Sequence, residues 1–266
     1  MDKKSSTLGG MSAAAATISV FAALIIGFVI WKFVLGAPGN FDAEGHPKNG
    51  SILGMMYKGG FIVPVLLCIL ITIITFSIER FITIQRASGA GNSSAFIRTI
   101  KGQLAGNQLD AAIDACNKQK GSLANVVLAG VTKLKNIQGD ASLDKETRVA
   151  AIQKELEEAT SLELPMLSKN LVIISTCATI ATLFGLIGTV IGMIRSFAAL
   201  SQAGAPDTTA LATGISEALI NTAFGIISSV IGIIMYNIFS SKIDSLTYSM
   251  DEAGFSIVQS VSSQGH

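Results

Sequence analysis

Histidine and cysteine, the side chains that most often hold metals or redox centres, are scarce in this chain. The only histidines are His46, in a loop containing Gly and Pro, and His266, at the terminus. Without a pair of histidines there is no zinc-binding spacing. The cysteines Cys68, Cys116 and Cys177 lie far apart, two in hydrophobic stretches and one in a charged block. This spread argues against a disulfide framework and is typical of small buried side chains, so no metal or cofactor is expected.

Charge is also scarce. Only 14% of the 266 residues are charged and the formal net charge is +1, so no basic surface points to nucleic acid as a partner. The soluble-looking segments contain no Gly-rich phosphate loop, no nucleophile elbow and no catalytic triad order. A conventional enzyme is therefore not expected.

Hydrophobic residues, in contrast, make up half of the chain and are gathered into long runs. Four runs reach the roughly 20 residues needed to cross the hydrocarbon core of a bilayer. They cover residues 13–35, 61–78, 171–200 and 211–239. The sequence predicts an all-α integral membrane protein with four transmembrane helices. The last two are long and protrude from the bilayer, and a helical domain lies outside it.

The first hydrophobic run has two interpretations. Lys3 and Lys4 precede it and small residues follow Leu35, as in a cleaved signal peptide. The run of about 23 residues is longer than the hydrophobic region of a signal peptide, which favours a retained helix.

The positive charges predict the orientation of the chain. Residues 79–170 hold twelve Lys and Arg, whereas residues 201–210 hold none. Because Lys- and Arg-rich loops stay in the cytoplasm, the central block is expected there, with both termini on the same side.

The central block is expected to be helical, with apolar residues at helical spacing from Phe96 to Cys116 and from Leu123 to Ile137. Helix 142–168 is expected to run into the third membrane helix with a kink at Pro165. The predicted segments are an N-terminal membrane helix and loop, a second membrane helix, a cytoplasmic helical domain, a membrane hairpin and a cytoplasmic tail. Their bounds are 1–58, 59–85, 86–169, 170–240 and 241–266.

The last two membrane runs each carry a stripe of small or hydroxyl residues. The steps alternate between four and three residues, which keeps each stripe on one helix face. Small residues let helix backbones approach closely in lipid, so helix packing alone would explain most of them. The stripes comprise Ala178, Thr182, Gly185, Thr189, Gly192, Ser196 and Ala199, then Gly214, Ala218, Asn221, Gly225, Ser228 and Gly232.

Packing does not require the hydroxyls of these stripes or the carboxylate of Glu217. Charges inside a membrane are costly and usually face a bundle interior or a wet path. Arg195 and Glu217 lie eleven residues before and after Pro206, so a hairpin would place them at similar depth. The pair could be a structural ion pair, part of a transport path, or two residues at the interface. Threonines in membrane helices often bond a carbonyl one turn back, but Thr182 and Thr189 share one face.

Two segments together resemble the paired signature of the MotA/TolQ/ExbB proton-channel family, and its ExbB members most of all. They are residues 185–193, GLIGTVIGM, and residues 214–225, GISEALINTAFG. The similarity extends from about residue 57 to 242 and includes the IERF sequence at residues 78–81. The N-terminal run lies outside the three-helix core of the family, and Arg195 and Asn221 are polar where smaller or uncharged residues are expected.

The resemblance implies a homo-oligomer, a pentamer in this family, in the bacterial inner membrane among membrane lipids. Its last two helices would line a pore around an ExbD-like partner with one transmembrane helix, whose aspartate carries the proton. Thr189 and Thr222 would be the pore-facing hydroxyls and Glu217 the membrane carboxylate, with Thr182 and Asn221 also on the path. The complex would energise a TonB-like protein.

Three other functions stay open: a TolQ-like role, a MotA-like stator and a non-conducting scaffold. The central block is short for the torque-generating domain of a MotA-like stator. A scaffold would use the stripes only for helix packing.

Overall fold

The computed structural model describes residues 13–43, 46–48, 51–138, 144–201 and 208–263. Lys3, Lys4, Pro206 and His266 lie outside these ranges, as do the first two residues of the predicted helix 142–168. In the described residues the chain is almost wholly helical, and its only β-structure there is an isolated bridge between Phe41 and Pro47. Four helices are long and apolar enough to cross a membrane. The predicted all-α membrane fold is confirmed.

Nine α-helices are present in the described ranges, and a π-helical turn, Ile30–Leu35, continues the first of them. The helices are α1 Ala13–Val29, α2 Ile52–Lys58, α3 Ile62–Ala87, α4 Ser93–Ala105, α5 Leu109–Gln119, α6 Ser122–Gln138, α7 Lys145–Ser168, α8 Leu171–Leu200 and α9 Thr208–Ser263. The described residues group into two compact units. One contains 79–169 with 238–263, and the other contains 13–78 with 170–237.

Hydropathy locates the membrane helices well but not all of their ends. The third predicted run coincides with α8, whereas the second and fourth are parts of longer helices. Beyond Phe239, α9 continues for more than twenty residues to Ser263, through the segment predicted as a tail. Its buried residues there, which include Ile243, Met250 and Ile257, recur at helical spacing. A hydropathy window marks the end of the apolar run, whereas an amphipathic helix can continue past it.

The predicted continuation of helix 142–168 into the third membrane helix is wrong. Pro165 lies inside α7, and the helix instead ends at Ser168, before Lys169 and Asn170. Asn170 has a φ of 64°, the left-handed conformation that asparagine tolerates better than most residues. Pro165 removes only one hydrogen bond close to the helix end, so the last turn forms without its N–H.

A buried arginine holds the end of α7 in the first unit. Arg80, on α3, has no exposed side-chain surface. Its Nη1 donates to the carbonyl oxygens of Leu167 at 3.2 Å and Met166 at 3.4 Å. Its Nη2 and Nε donate to the carboxylate of Glu79 at 2.5 and 2.6 Å. Arg80 thus satisfies carbonyls that the end of a helix leaves unpaired, and its charge is balanced by its neighbour.

Helices α4 to α6 bury apolar residues at the helical spacing that the sequence predicted, including Phe96, Ile100 and Leu104. Asn92 caps α4 by accepting from the backbone N–H of Ser94 at 2.8 Å. Apolar periodicity is readable from the sequence because it acts within one helix, which is why these helices were predicted.

Candidate functional site in the membrane helices

In the second unit, α8 and α9 pack backbone against backbone at their glycines. A methyl group added to Gly225 would lie 2.6 Å from the carbonyl oxygen of Ala181 and 2.9 Å from Cα of Gly185. A methyl on Gly192 would lie 2.8 Å from the carbonyl oxygen of Gly214. These positions tolerate no side chain without separation of the helices.

The other members of the two stripes lie along the same packed face. A methyl on Gly214 would collide with the Ser196 side chain, and one on Gly232 would lie 2.7 Å from Cβ of Ala178. Ala218 is 1% exposed. The large residues of α8 between these positions, such as Leu186 and Val190, are exposed. Each helix therefore has a close-packed face and a bulky outer face.

The packed helices bring two threonine hydroxyls into direct contact. Oγ1 of Thr189, on α8, is hydrogen-bonded to Oγ1 of Thr222, on α9. Each hydroxyl also lies 3.2 Å from the carbonyl oxygen of Gly185. Both side chains are half-buried. The three oxygens form one polar site in an otherwise apolar helix pair.

The three oxygens of this site have more lone pairs than protons, so they can accept a hydrogen bond from a further group. Each hydroxyl has one proton and two lone pairs, and the carbonyl of Gly185 can only accept. One hydroxyl donates to Gly185, and the other donates to Gly185 or to its neighbouring hydroxyl. Both protons are therefore used within the site, and lone pairs of the threonine oxygens remain for an outside donor. The site can therefore accept a hydrogen bond from an outside donor such as a protonated carboxyl group.

Glu217 lies on α9, just over one turn before Thr222. Its Oε2 is 3.4 Å from Nη1 of Arg195, with the glutamate side chain 16% exposed and the arginine 54% exposed. The exposed arginine is well placed to reach water while it neutralises the more buried carboxylate. A depression of about 370 Å³ borders this pair, with Thr209, Thr213 and Gly214 in its wall.

Asn221 is 3% exposed and connects α9 to the residue that follows α2. Its Nδ2 donates to the carbonyl oxygen of Gly59 at 3.0 Å. A methyl on Gly188 would lie 2.5 Å from Cβ of Asn221, so this glycine makes the room for the amide side chain. The sequence analysis missed Gly188 and Gly59. The Gly188-x-x-x-Gly192 spacing could have revealed the first, but no local signal marks the second.

The remaining predicted site residue, Thr182, is half-buried and lies two turns before Thr189. Their hydroxyls are therefore about 10 Å apart along the helix axis and are not in contact. In the described part of the chain, no three His, Cys, Asp or Glu side chains come together as a metal site.

This architecture defines a multi-pass helical membrane protein with a polar site inside a close-packed helix pair. A family model described as the MotA/TolQ/ExbB proton channel family matches residues 118–252. The chain belongs to this family, which is a family of channel proteins rather than enzymes.

Curated relatives named ExbB, ExbB-like or TolQ align with the chain. A putative biopolymer transport protein ExbB-like 3 from Synechocystis is 36% identical over 88 residues, which are 32% of this chain and 42% of the relative. ExbB from Pseudomonas putida is 26% identical over 169 residues, 62% of this chain and 51% of the relative. TolQ from Haemophilus influenzae is 26% identical over 204 residues, 74% of this chain and 87% of the relative. The chain thus spans about half the length of the two ExbB relatives.

Proposed function

We propose that this chain is an ExbB-like subunit of a proton-driven motor in the bacterial inner membrane. The motor uses the proton-motive force to energise a TonB-like protein and, through it, transport across the outer membrane. The observation that carries the proposal is the hydroxyl pair of Thr189 and Thr222 on the carbonyl of Gly185. Close backbone packing does not require this pair, because alanine or glycine would pack as closely, although hydrogen bonds between membrane helices also add to their association.

The hydroxyl pair is only half of a proton-transfer site. It presents lone pairs but supplies no acid of its own, so a proton-bearing group must come from elsewhere. An ExbD-like partner with one transmembrane helix and a membrane aspartate would supply it. In a homo-oligomer, proposed here as a pentamer, α8 and α9 of each copy would surround that helix. Glu217 serves as the family's membrane carboxylate, and Thr182 extends the polar face two turns from the pair.

The topology proposed for this function has both termini in the cytoplasm. The buried Arg80 and the other Lys and Arg residues of 79–170 support it, because such charges are retained on the cytoplasmic side.

Replacing Thr189 or Thr222 with valine tests the proposal, because valine keeps the shape and removes the hydroxyl. Each chain is reconstituted into liposomes with its ExbD-like partner, and the proton flux is followed with an enclosed pH dye. Positioned proton-transfer groups typically contribute about 100-fold or more, so we expect the flux to fall at least about 10-fold in each variant.

Serine at the same positions is the matched control, since it keeps the hydroxyl and loses only a methyl group. We expect flux close to that of the unaltered chain. Valine variants that are folded, assembled with the partner and fully conducting would refute the role of the hydroxyls. A chain that shows no partner-dependent flux under any condition would instead be a scaffold.

A TolQ-like role is the second candidate, because the alignment with TolQ covers most of both chains. A TolQ-like protein would share the proton site and differ in the partner it drives. Expression of the chain in strains lacking either ExbB or TolQ separates the two: restored siderophore uptake supports the ExbB role, and restored envelope integrity supports the TolQ role.

A further inference from the structure

The amide of Asn221 leaves one polar atom without a partner. Its Nδ2 faces the carbonyl oxygen of Gly59, which can only accept a hydrogen bond. The orientation of the amide is therefore determined, since the opposite one would place two acceptors against each other. Oδ1 is then the free end of the side chain, and it is buried with no hydrogen-bond donor among the residues that the structure describes. A buried acceptor without a donor is costly and calls for an explanation.

A small cavity lined by Asn221 lies at this end of α9. Its volume is about 10 Å³, about the smallest volume that holds one water molecule. The backbone of Gly59, Gly188 and Gly192 forms part of its wall. Its polar lining comes from three side chains, those of Asn221, Glu217 and Arg195. Asn221 and Glu217 are four residues apart on α9, so they face the cavity from successive turns.

The polar lining matches the hydrogen-bonding capacity of water. Oδ1 of Asn221 and the carboxylate of Glu217 are acceptors, whereas the guanidinium of Arg195 is a donor. A water molecule donates twice and accepts, which satisfies all three groups at once. A sodium ion would fit the two acceptors, but the positive charge of Arg195 at the same cavity disfavours a second cation.

We propose that one water molecule occupies this cavity and links the carboxylate of Glu217 to the buried amide of Asn221. Asn221 thereby becomes a positioning residue: it is anchored to Gly59, and through the water it determines the orientation of the Glu217 carboxylate. Gly188 has no side chain, and this leaves the space that the Asn221 side chain occupies. The water site stands independently of the proposed function, whereas the effect on proton flux rests on it.

Infrared spectroscopy of the reconstituted complex tests the water site directly. An isolated internal water gives an O–H stretching band that shifts when H₂¹⁸O replaces normal water. We expect such a band in the unaltered chain and its loss in Asn221→Leu, which has a similar size and no acceptor. Asn125→Leu, at an exposed asparagine on α6, is the matched control and should keep the band.

The orientation of Glu217 gives a second readout, which a merely structural Asn221 would not change. The carboxyl bands of Glu217, identified by their loss in Glu217→Gln, should shift in Asn221→Leu. Asn221→Ala introduces no new bulk and should shift the same bands, so the test holds even where leucine prevents folding. A band of Glu217 unchanged in both folded variants would overturn the positioning role.

Three outcomes would overturn the water site itself. They are an isotope-sensitive band that survives in folded Asn221→Leu, a high-resolution map with no density between the two side chains, and density that disappears in sodium-free buffer. For the role in transport, we expect Asn221→Leu to lower proton flux about 10-fold, as small misplacements of catalytic groups do. Normal flux in this variant would refute that role, whereas absence of flux in the unaltered chain would refute the proposed function and leave the water site standing.

Discussion

The close contact at Gly225 makes a quantitative prediction for the substitution Gly225→Ala. The new methyl would lie 2.6 Å from the carbonyl oxygen of Ala181 and 2.9 Å from Cα of Gly185. Ordinary carbon contacts are about 3.5–4.0 Å, so α8 and α9 must separate by about 1 Å. Both neighbours are backbone atoms and cannot rotate away. The cost should therefore be near the upper end of the range for overpacking, about 3 kcal/mol.

Alanine is intrinsically better than glycine in a helix by about 1 kcal/mol, which leaves a net loss of about 2 kcal/mol. Separation of the helices also affects the proton site, because Thr222 lies three residues before Gly225. The hydrogen bond between Thr189 and Thr222 would break, so flux should fall together with stability.

The assay is equilibrium unfolding in mixed micelles, followed by circular dichroism, with proton flux measured on the same preparations. Gly102→Ala is the matched control, because a methyl at Gly102 on α4 would meet no heavy atom within 4 Å apart from the backbone of its own helix and its chain neighbours. It should raise stability by up to about 1 kcal/mol through helix propensity. Equal effects of the two substitutions on unfolding would refute the close contact of α8 and α9.

Three further predictions concern the first unit. Replacing buried Arg80 with leucine removes the charge partner of Glu79 and the donor to two carbonyls, so stability should fall by about 3–5 kcal/mol in chemical unfolding, while Arg98→Ala at an exposed site should be nearly neutral. Burial raises the pKa of the Cys116 thiol to about 12, so maleimide should label it in the native protein only after local opening; rapid labelling would contradict its burial. Hydrogen bonds from the side chain and the N–H of Thr147 lower the pKa of Asp144 below its usual 3.8, so this cap is present above that pH and is lost as pH falls through the lowered pKa. The protection factor of the Thr147 N–H, which corrects for the intrinsic exchange rate, should therefore fall in acid, and in Asp144→Asn it should no longer change over this pH range.

The sequence alone predicted much of the membrane fold because its signals are local. Four apolar runs of bilayer length indicated four membrane helices, and α8 has the predicted bounds. The period of the small residues placed Gly185 and Gly225 on the packed faces of their helices. The predicted continuation of α7 into α8 was wrong, because the αL conformation of Asn170 and the hydrogen bonds from Arg80 decide where α7 ends. The contact of Arg80 with Leu167 spans 87 residues of sequence.

The candidate site was predictable as a set of residues but not as an arrangement. The sequence placed Thr189, Thr222 and Glu217 on two neighbouring helices because each stripe follows the helical period. It could not show that both hydroxyls share the carbonyl of Gly185, since this depends on how far the two helices slide past each other. It could not show the partner of Asn221, because Gly59 lies 162 residues away.

The sequence by itself therefore determined the helices, the membrane spans, the stripes and the resemblance to a proton-channel family. These follow from hydropathy and from the 3.6-residue period, which act within one helix. Only the tertiary structure decided the register of α8 against α9, the pairing of Arg195 with Glu217 and the cavity beside Asn221. Those depend on side-chain volumes and backbone approach between distant segments, where a shift of about 1 Å makes or breaks a hydrogen bond.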